Sequence, residues 1–258
     1  MDAITLTFGD CMENHAGMQK IGSMASKGYS FDDLIKASVK LNKNNIKFEI
    51  IHLNDFLPKD LEKVEDSIED AYVEDAYVLI VKNFVGEVLS KELFNEHIGL
   101  LPDKKYYDTR RQKVLNKLAR WNLCFDDFSQ EPDYPNKKGR IIRFEDVPFT
   151  DELRSKICNL IEDDSLKLEA NYYYDLKKTG IGYHGDTERK KVIGVRLGAK
   201  NELAFKWFKN SEQIGTTFRT FLEPGDIYIM SEKAVGFDWK LRSKITLRHA
   251  AGSKKYTN

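Results

Sequence analysis

The sequence predicts an α+β chain: a small α/β unit at the N-terminus, a connector, and a β-rich sandwich or barrel occupying the C-terminal half. Three observations carry this. Residues 1 to 90 alternate strand-like and helix-like runs. Residues 140 to 252 carry strand-like runs at near-regular intervals with turn residues between them. The stretch between them, residues 91–139, is richer in charge, aromatics and loop-forming residues. At 258 residues the chain is long enough to bury a sizeable core.

The N-terminal unit begins with the alternating run AITLTFG at residues 3–9, read as a strand. Residues 10–22 (DCMENHAGMQKIG) mix small and polar residues. They read either as a binding loop or as a capped helix start with Met18 and Ile21 in the core. Ser30 followed by Phe31-Asp32-Asp33 has the form of a capping box, and Leu34, Ile35, Ala37, Val39 and Leu41 give a helix of about three turns. Residues 47–53 and 76–81 read as strands, with a charged helix over 58–69 between them. His52, inside an apolar run, reads as a satisfied core histidine rather than a ligand.

In the connector, residues 90–101 read as a helix capped by Ser90. Residues 106–121 interleave Arg110, Arg111, Lys113, Lys117 and Arg120 with Tyr106, Tyr107 and Trp121. This is either a solvated helix face with its aromatics turned inward or a surface that grips an anion or nucleic acid. Residues 126–139 form a loop by their Pro, Gly and Asp content, placed where a lid over a site could lie.

The β-rich half contains a strand at 140–144, a helix at 150–161 opened by Thr150, a strand of alternating aromatics at 166–174, and five more strand-like runs after residue 186. His184-Gly185-Asp186 is the motif with most chemistry in it. Side chains two apart on a strand share a face, so His184 and Asp186 can hold one ion. Of the five histidines, His249 alone lies downstream. Two imidazoles and a carboxylate leave open positions on a metal, the donor set of non-haem Fe(II) oxygenases.

Composition narrows the setting. Lys+Arg and Asp+Glu are equal at 41 each, so no global charge argues for nucleic acid, although a local patch can still serve. Cys11, Cys124 and Cys158 are odd in number and widely spaced, which suits reduced thiols in an intracellular, cytoplasmic protein. No apolar run is long enough for a membrane span, and no secretory signal opens the chain.

The ordered set Asn171-Tyr172-Tyr173, His184-Gly185-Asp186, Val195 to Gly198 before Leu203-Ala204-Phe205, and Pro224-Gly225-Asp226 resembles the Fe(II)/2-oxoglutarate dioxygenases, most closely the AlkB-like enzymes. The resemblance spans roughly residues 140–252. It implies a double-stranded β-helix (jelly-roll, cupin-like) core at 140–258, preceded by an N-terminal α/β extension at 1–90 and a connector at 91–139. It implies Fe(II) on His184, Asp186 and a later histidine, with 2-oxoglutarate as small-molecule cosubstrate contacted through the Asn171-x-Tyr173 motif, O₂ as oxidant, and hydroxylation of a C–H bond. For AlkB-like enzymes the default target is an N-alkylated nucleic-acid base, stacked on aromatics such as Tyr172, Trp207 or Trp239, although each of these reads first as a core residue.

The chain departs from that pattern at its end. No histidine lies between Gly225 and Arg242, although Arg242 and Arg248 have the family's R-x5-R spacing. In that register the third ligand falls to Asp238 or Glu232. The other register, in which TLRHAAG resembles the corresponding stretch of prolyl hydroxylases, makes it His249, and imidazole chemistry favours His249. The cosubstrate carboxylate then needs a cation. Arg196 qualifies if Ile193, Val195 and Leu197 pack outward, Lys255 shares a face with His249, and Arg248 points the other way. Two other functions stay open: an oxygenase for a protein side chain or small metabolite, and an inactive barrel that binds metal or a partner.

Overall fold

A computed structural model describes residues 2–60 and 73–258; the expected helix over 58–69 lies mostly outside the described residues. The fold is mixed α+β, dominated by strands, with few helices. Its strands are β1 (Ala3–Gly9), β2 (Cys11–Glu13), β3 (Lys20–Gly22), β4 (Phe48–His52), β5 (Tyr77–Val81), β6 (Lys105–Asp108), β7 (Lys113–Asn116), β8 (Trp121–Asp126), β9 (Ile141–Arg143), β10 (Lys167–Tyr173), β11 (Gly180–His184), β12 (Val192–Gly198), β13 (Asn201–Lys209), β14 (Glu212–Leu222), β15 (Ile227–Met230) and β16 (Thr246–Gly252). The helices are α1 (Phe31–Lys43), α2 (Glu87–Ile98), α3 (Pro148–Ile161), α4 (Glu232–Val235) and α5 (Lys254–Thr257).

Among the described residues, one eight-stranded sheet runs β4-β5-β15-β12-β1-β10-β8-β9, and a four-stranded sheet runs β11-β16-β13-β14. Every pairing in the larger sheet is antiparallel except β8 with β9. Strand alternation sorts its two faces. Ile4, Leu6 and Phe8 of β1, Leu168, Ala170 and Tyr172 of β10, and Ile193, Val195 and Leu197 of β12 join one apolar core with Leu34 of α1, Leu93 of α2 and Leu153 of α3. A second core lies between the sheets, where Val78, Ile80, Val192 and Met230 meet Leu203, Phe205, Trp207 and Leu247. The alternate residues of β1, β10 and β12, among them Thr5, Glu169, Asn171, Tyr173 and Arg196, therefore turn away from the helices. Arg196 is 1% exposed.

The first strand is the centre of the large sheet: Thr5 lies opposite Asn171 of β10 on one side and Arg196 of β12 on the other. Residues 1–90, 91–139 and 140–258 all contribute strands to this one sheet. Ranges joined by shared ladders do not separate by backbone hydrogen bonding, because every strand edge inside the sheet is satisfied by a neighbour.

Local signals held where the cap or the alternation was strong. α1 carries the capping box, with Ser30 Oγ accepting from the Asp33 N–H and Asp33 accepting from the Ser30 N–H. Four readings are corrected. Residues 11–22 form the hairpin β2–β3; Asp10 caps no helix and instead accepts from the Ala25, Lys190 and Lys191 N–H groups. Residues 106–121 form the β6–β7 hairpin and the start of β8, not a helix; the Tyr and Trp there carry β-propensity that outweighs the spacing of the cations. Ser90 sits inside α2, whose N-cap is Gly86, and Pro148 rather than Thr150 opens α3. Among the described residues no helix is long and apolar enough to cross a membrane.

Candidate metal centre

β11 and β16 pair antiparallel with His184 directly opposite His249, after a register shift between Ile181 and His184. The strand ends at His184, so Asp186 lies in the following turn rather than on the strand as expected. The Asp186 N–H donates to the Val235 carbonyl at 3.1 Å, and Gly185 packs so closely on Gly236 that a Cβ would run into the Gly236 carbonyl. Only glycine permits this approach, and the approach returns the carboxylate to the same side as His184. His184 Nε2 lies 3.5 Å from Asp186 Oδ1, and the His184 and His249 ring centroids are 4.5 Å apart. One ligand atom from each of His184, Asp186 and His249 lies within 4.8 Å of the others.

Chemistry at this cluster suits a cation. His184 Nδ1 lies 2.7 Å from the Gly182 carbonyl, which makes that nitrogen the N–H donor and leaves Nε2 with its lone pair. His249 is buried, and its Nδ1 has no hydrogen-bond partner among the described residues. Burial, with the neighbouring His184, lowers the His249 pKa to about 3, so the ring is neutral. Burial alone would raise the Asp186 pKa, but the Arg189 guanidinium and the histidines outweigh it and hold the carboxyl well below its ordinary value. A neutral imidazole and an ionised carboxylate are ligand forms a divalent metal takes.

The cluster opens onto a cleft of about 500 Å³ lined also by Thr5, Asn171, Tyr173 and Tyr228 and, at its other end, by Asn14, His15, Tyr106, Lys117, Arg120 and Asn122. Beneath Tyr173 the Arg196 guanidinium lies 5.6 Å from the ring centroid. Its Nε and Nη1, and the Thr5 hydroxyl across the ladder, are buried without hydrogen-bond partners among the described residues. Burial lowers the Arg196 pKa, with the Tyr173 and Tyr228 hydroxyls opposing. A buried cation with unfilled donors is costly by several kcal/mol unless an anion joins it.

The far wall is closed on itself. Lys117 donates to the Asn14 carbonyl at 3.1 Å and side chain at 2.7 Å, and also to Asn122. Asn122 donates to Glu169 at 2.9 Å. Burial lowers the Lys117 pKa to about 8, against the pull of Asp103 and Glu169. His15 stacks on Tyr106 with centroids 3.6 Å apart.

Of the expected site residues, His184, Asp186, His249, Asn171 and Tyr173 line the cleft, with Arg196 just behind. Arg248 and Lys255 are not brought there. Arg248 stacks on Phe208 at 4.1 Å on the opposite face of β16, and Lys255 sits over Tyr256 at 5.5 Å. The competing ligands are engaged elsewhere: Glu232 accepts from the Gly28 N–H and pairs with Lys190, and Asp238 pairs with Lys233. Tyr172 and Trp207 are core, the latter donating to the Leu53 carbonyl at 2.8 Å, while Trp239 lines the cleft. His52 is on an edge strand, in reach of Asp55 and Asp75.

Thr5, Glu169 and Arg189 went unremarked in the sequence. Thr5 and Glu169 were findable, since each is a polar residue alternating against an apolar trio. Arg189 carried no such signal, because it follows the turn.

No family model matches the chain. Over 256 residues it is 41% identical to "Uncharacterized protein R156" of Acanthamoeba polyphaga mimivirus, covering 99% of this chain and 97% of that protein. The chain belongs to the same family as that mimivirus protein.

Proposed function

We propose that this member of the family is an AlkB-like Fe(II)- and 2-oxoglutarate-dependent dioxygenase that hydroxylates a C–H bond. The observation that carries the reading is the convergence of His184, Asp186 and His249, from two strands and a turn, at the end of a cleft. The strand order supports it. Across the second core β5, β12 and β15 of the larger sheet meet β13, β14 and β16 of the smaller, two facing antiparallel sheets in keeping with a double-stranded β-helix, and β1 is inserted between β10 and β12.

His184, Asp186 and His249 would hold Fe(II), which with 2-oxoglutarate as co-reductant would supply the O₂-dependent hydroxylation of a C–H bond coupled to formation of succinate and CO₂. The protein's own residues orient and exclude. His184 is held in one tautomer by Gly182. Arg196 and Thr5 offer three unfilled polar atoms to a carboxylate, beside Tyr173, and Asn171 is held by Arg120 Nε at 2.5 Å. Val192 and Leu203 give the metal end of the cleft an apolar wall. Arg196 is the cation nearest Tyr173 for that carboxylate, and β1 sets Thr5 beside it.

For the substrate, exposed Arg110, Arg111 and Lys113 on the β6–β7 hairpin have no ion-pair partner among the described residues, which favours an alkylated base in a nucleic acid over a protein side chain or metabolite. The three buried free thiols suit a reducing, cytoplasmic setting.

The experiment is anaerobic addition of Fe(II) and 2-oxoglutarate, read by the visible charge-transfer band of their chelate, in wild type, His184→Ala and Arg196→Met. A band that needs both ligands, vanishes in His184→Ala and requires more 2-oxoglutarate in Arg196→Met is the expected result. Metal binding without any band turns the reading to a metal-binding barrel without oxygenase activity. Salt-dependent binding of single-stranded DNA or RNA tests the substrate class.

A further inference from the structure

We propose that Arg189 is a positioning residue that presents a single oxygen of Asp186 to the metal, and that Glu169 on β10 holds Arg189 in place; this rests on reading His184, Asp186 and His249 as the metal centre. Arg189 is 4% exposed, donates to three partners and forms an ion pair with a fourth. Its Nη2 donates to Glu169 Oε2 at 2.9 Å and to Glu188 Oε1 at 2.7 Å, and its Nη1 meets Met12 Sδ at 2.9 Å. Its Nε donates to Glu188 Oε1 at 3.0 Å and lies 3.6 Å from Asp186 Oδ2.

The two oxygens of Asp186 are therefore not equivalent. Oδ2 faces the guanidinium, and Oδ1 faces His184 Nε2 at 3.5 Å. A carboxylate on a two-residue tether can rotate and chelate through both oxygens, which would fill a coordination position that the cosubstrate needs. With Oδ2 drawn toward the Arg189 charge as an ion pair at 3.6 Å, Oδ1 is the oxygen left to the metal. The guanidinium is itself fixed from the sheet, because Glu169 Oε1 accepts from Asn122 at 2.9 Å, and Asn122 is bound to Lys117 and Asn14. A hydrogen-bonded path thus runs from Lys117 and Asn14 through Asn122 and Glu169 to Arg189, which forms an ion pair with the carboxylate ligand.

The test is titration with Co(II), followed by its d–d absorption, in wild type, Arg189→Lys, Arg189→Met, Glu169→Gln and His184→Ala, each checked for folding by near-ultraviolet circular dichroism. Arg189→Met should weaken Co(II) binding by about 10- to 100-fold and change the band shape as the second oxygen coordinates. Arg189→Lys should recover affinity in part without the wild-type spectrum. Glu169→Gln should shift both in the same direction by less. Wild-type affinity and spectrum in folded Arg189→Lys and Glu169→Gln would overturn the proposal, and these two variants decide it should Arg189→Met not fold. Absence of Co(II) binding in wild type, or binding unchanged in His184→Ala, would overturn the metal centre itself, a separate failure from that of Arg189.

Discussion

The two faces of the eight-stranded sheet each carry a buried histidine network, and the networks differ in what they leave over. On the helix-covered face, His97 is fully buried with both ring nitrogens used: Nδ1 lies 3.0 Å from the Tyr172 hydroxyl and Nε2 2.9 Å from Thr150 Oγ1, which donates to Glu96 at 2.6 Å. On the cleft face, His249 Nδ1, the Thr5 hydroxyl and two nitrogens of Arg196 have no partners among the described residues. Arginine repeats the contrast within the cleft face, where Arg189 is saturated and Arg196 is not. Burial alone marks neither site. Buried polar groups are nearly always satisfied, so a cluster of unfilled ones beside a cavity marks a place where a ligand completes the fold.

Breaking the saturated pair should cost most. Arg189→Met leaves buried Glu169 and half-buried Glu188 without their cation and should lower stability by about 3–5 kcal/mol, measured by urea unfolding. Arg196→Met should do the opposite to the balance: removing an unpaired buried cation should leave stability unchanged or raise it. The same variant should weaken 2-oxoglutarate binding on the order of tenfold to a hundredfold, measured by calorimetry with metal present. Equal destabilisation by the two variants would erase the distinction between them.

The closed network gives the next contrast. Tyr172→Phe removes one hydrogen bond from His97 and should cost about 1–2 kcal/mol while leaving Co(II) affinity unchanged. His97 also sets a pH dependence. Burial lowers its pKa from 6.5 to about 3, so between those values the unfolded chain binds a proton that the folded chain does not. Its contribution is present above pH 6.5 and is lost as pH falls toward 3, with a slope of up to about 1.4 kcal/mol per pH unit. His97→Gln should reduce the slope of metal-free protein over that window, read from urea midpoints at successive pH values. Smallest of all, Ser30→Ala breaks the α1 capping box far from both networks and should cost about 1 kcal/mol with no effect on either ligand.

Legibility followed the range of the forces involved. The alternation of β1, β10 and β12 was visible because a half-buried strand must place apolar and polar residues on opposite sides. It also carried the conditional reading of Arg196, whose burial was tied to the outward packing of Ile193, Val195 and Leu197, and those three do pack against the helices. The β6–β7 hairpin was misread because its cations occur at spacings that suit a helix surface as well, and at its turn Gln112 takes a positive φ that no Gly or Asn announces. Arg189 could not be read, since its partners Met12, Glu169 and Asp186 come from separate parts of the chain.

By itself the sequence determined the donor types and one local device: a histidine and a carboxylate two residues apart across a glycine, a lone downstream histidine, and an arginine set against an apolar trio. These depend on side-chain chemistry and the pitch of a strand, which neighbours in sequence already fix. Tertiary structure decided which of them meet. The pairing of β11 with β16 brings His249 opposite His184, and the insertion of β1 between β10 and β12 puts Thr5 beside Arg196. Ladder register between strands far apart in the chain is set by the burial of whole faces, a property of the folded sheets and not of any one segment.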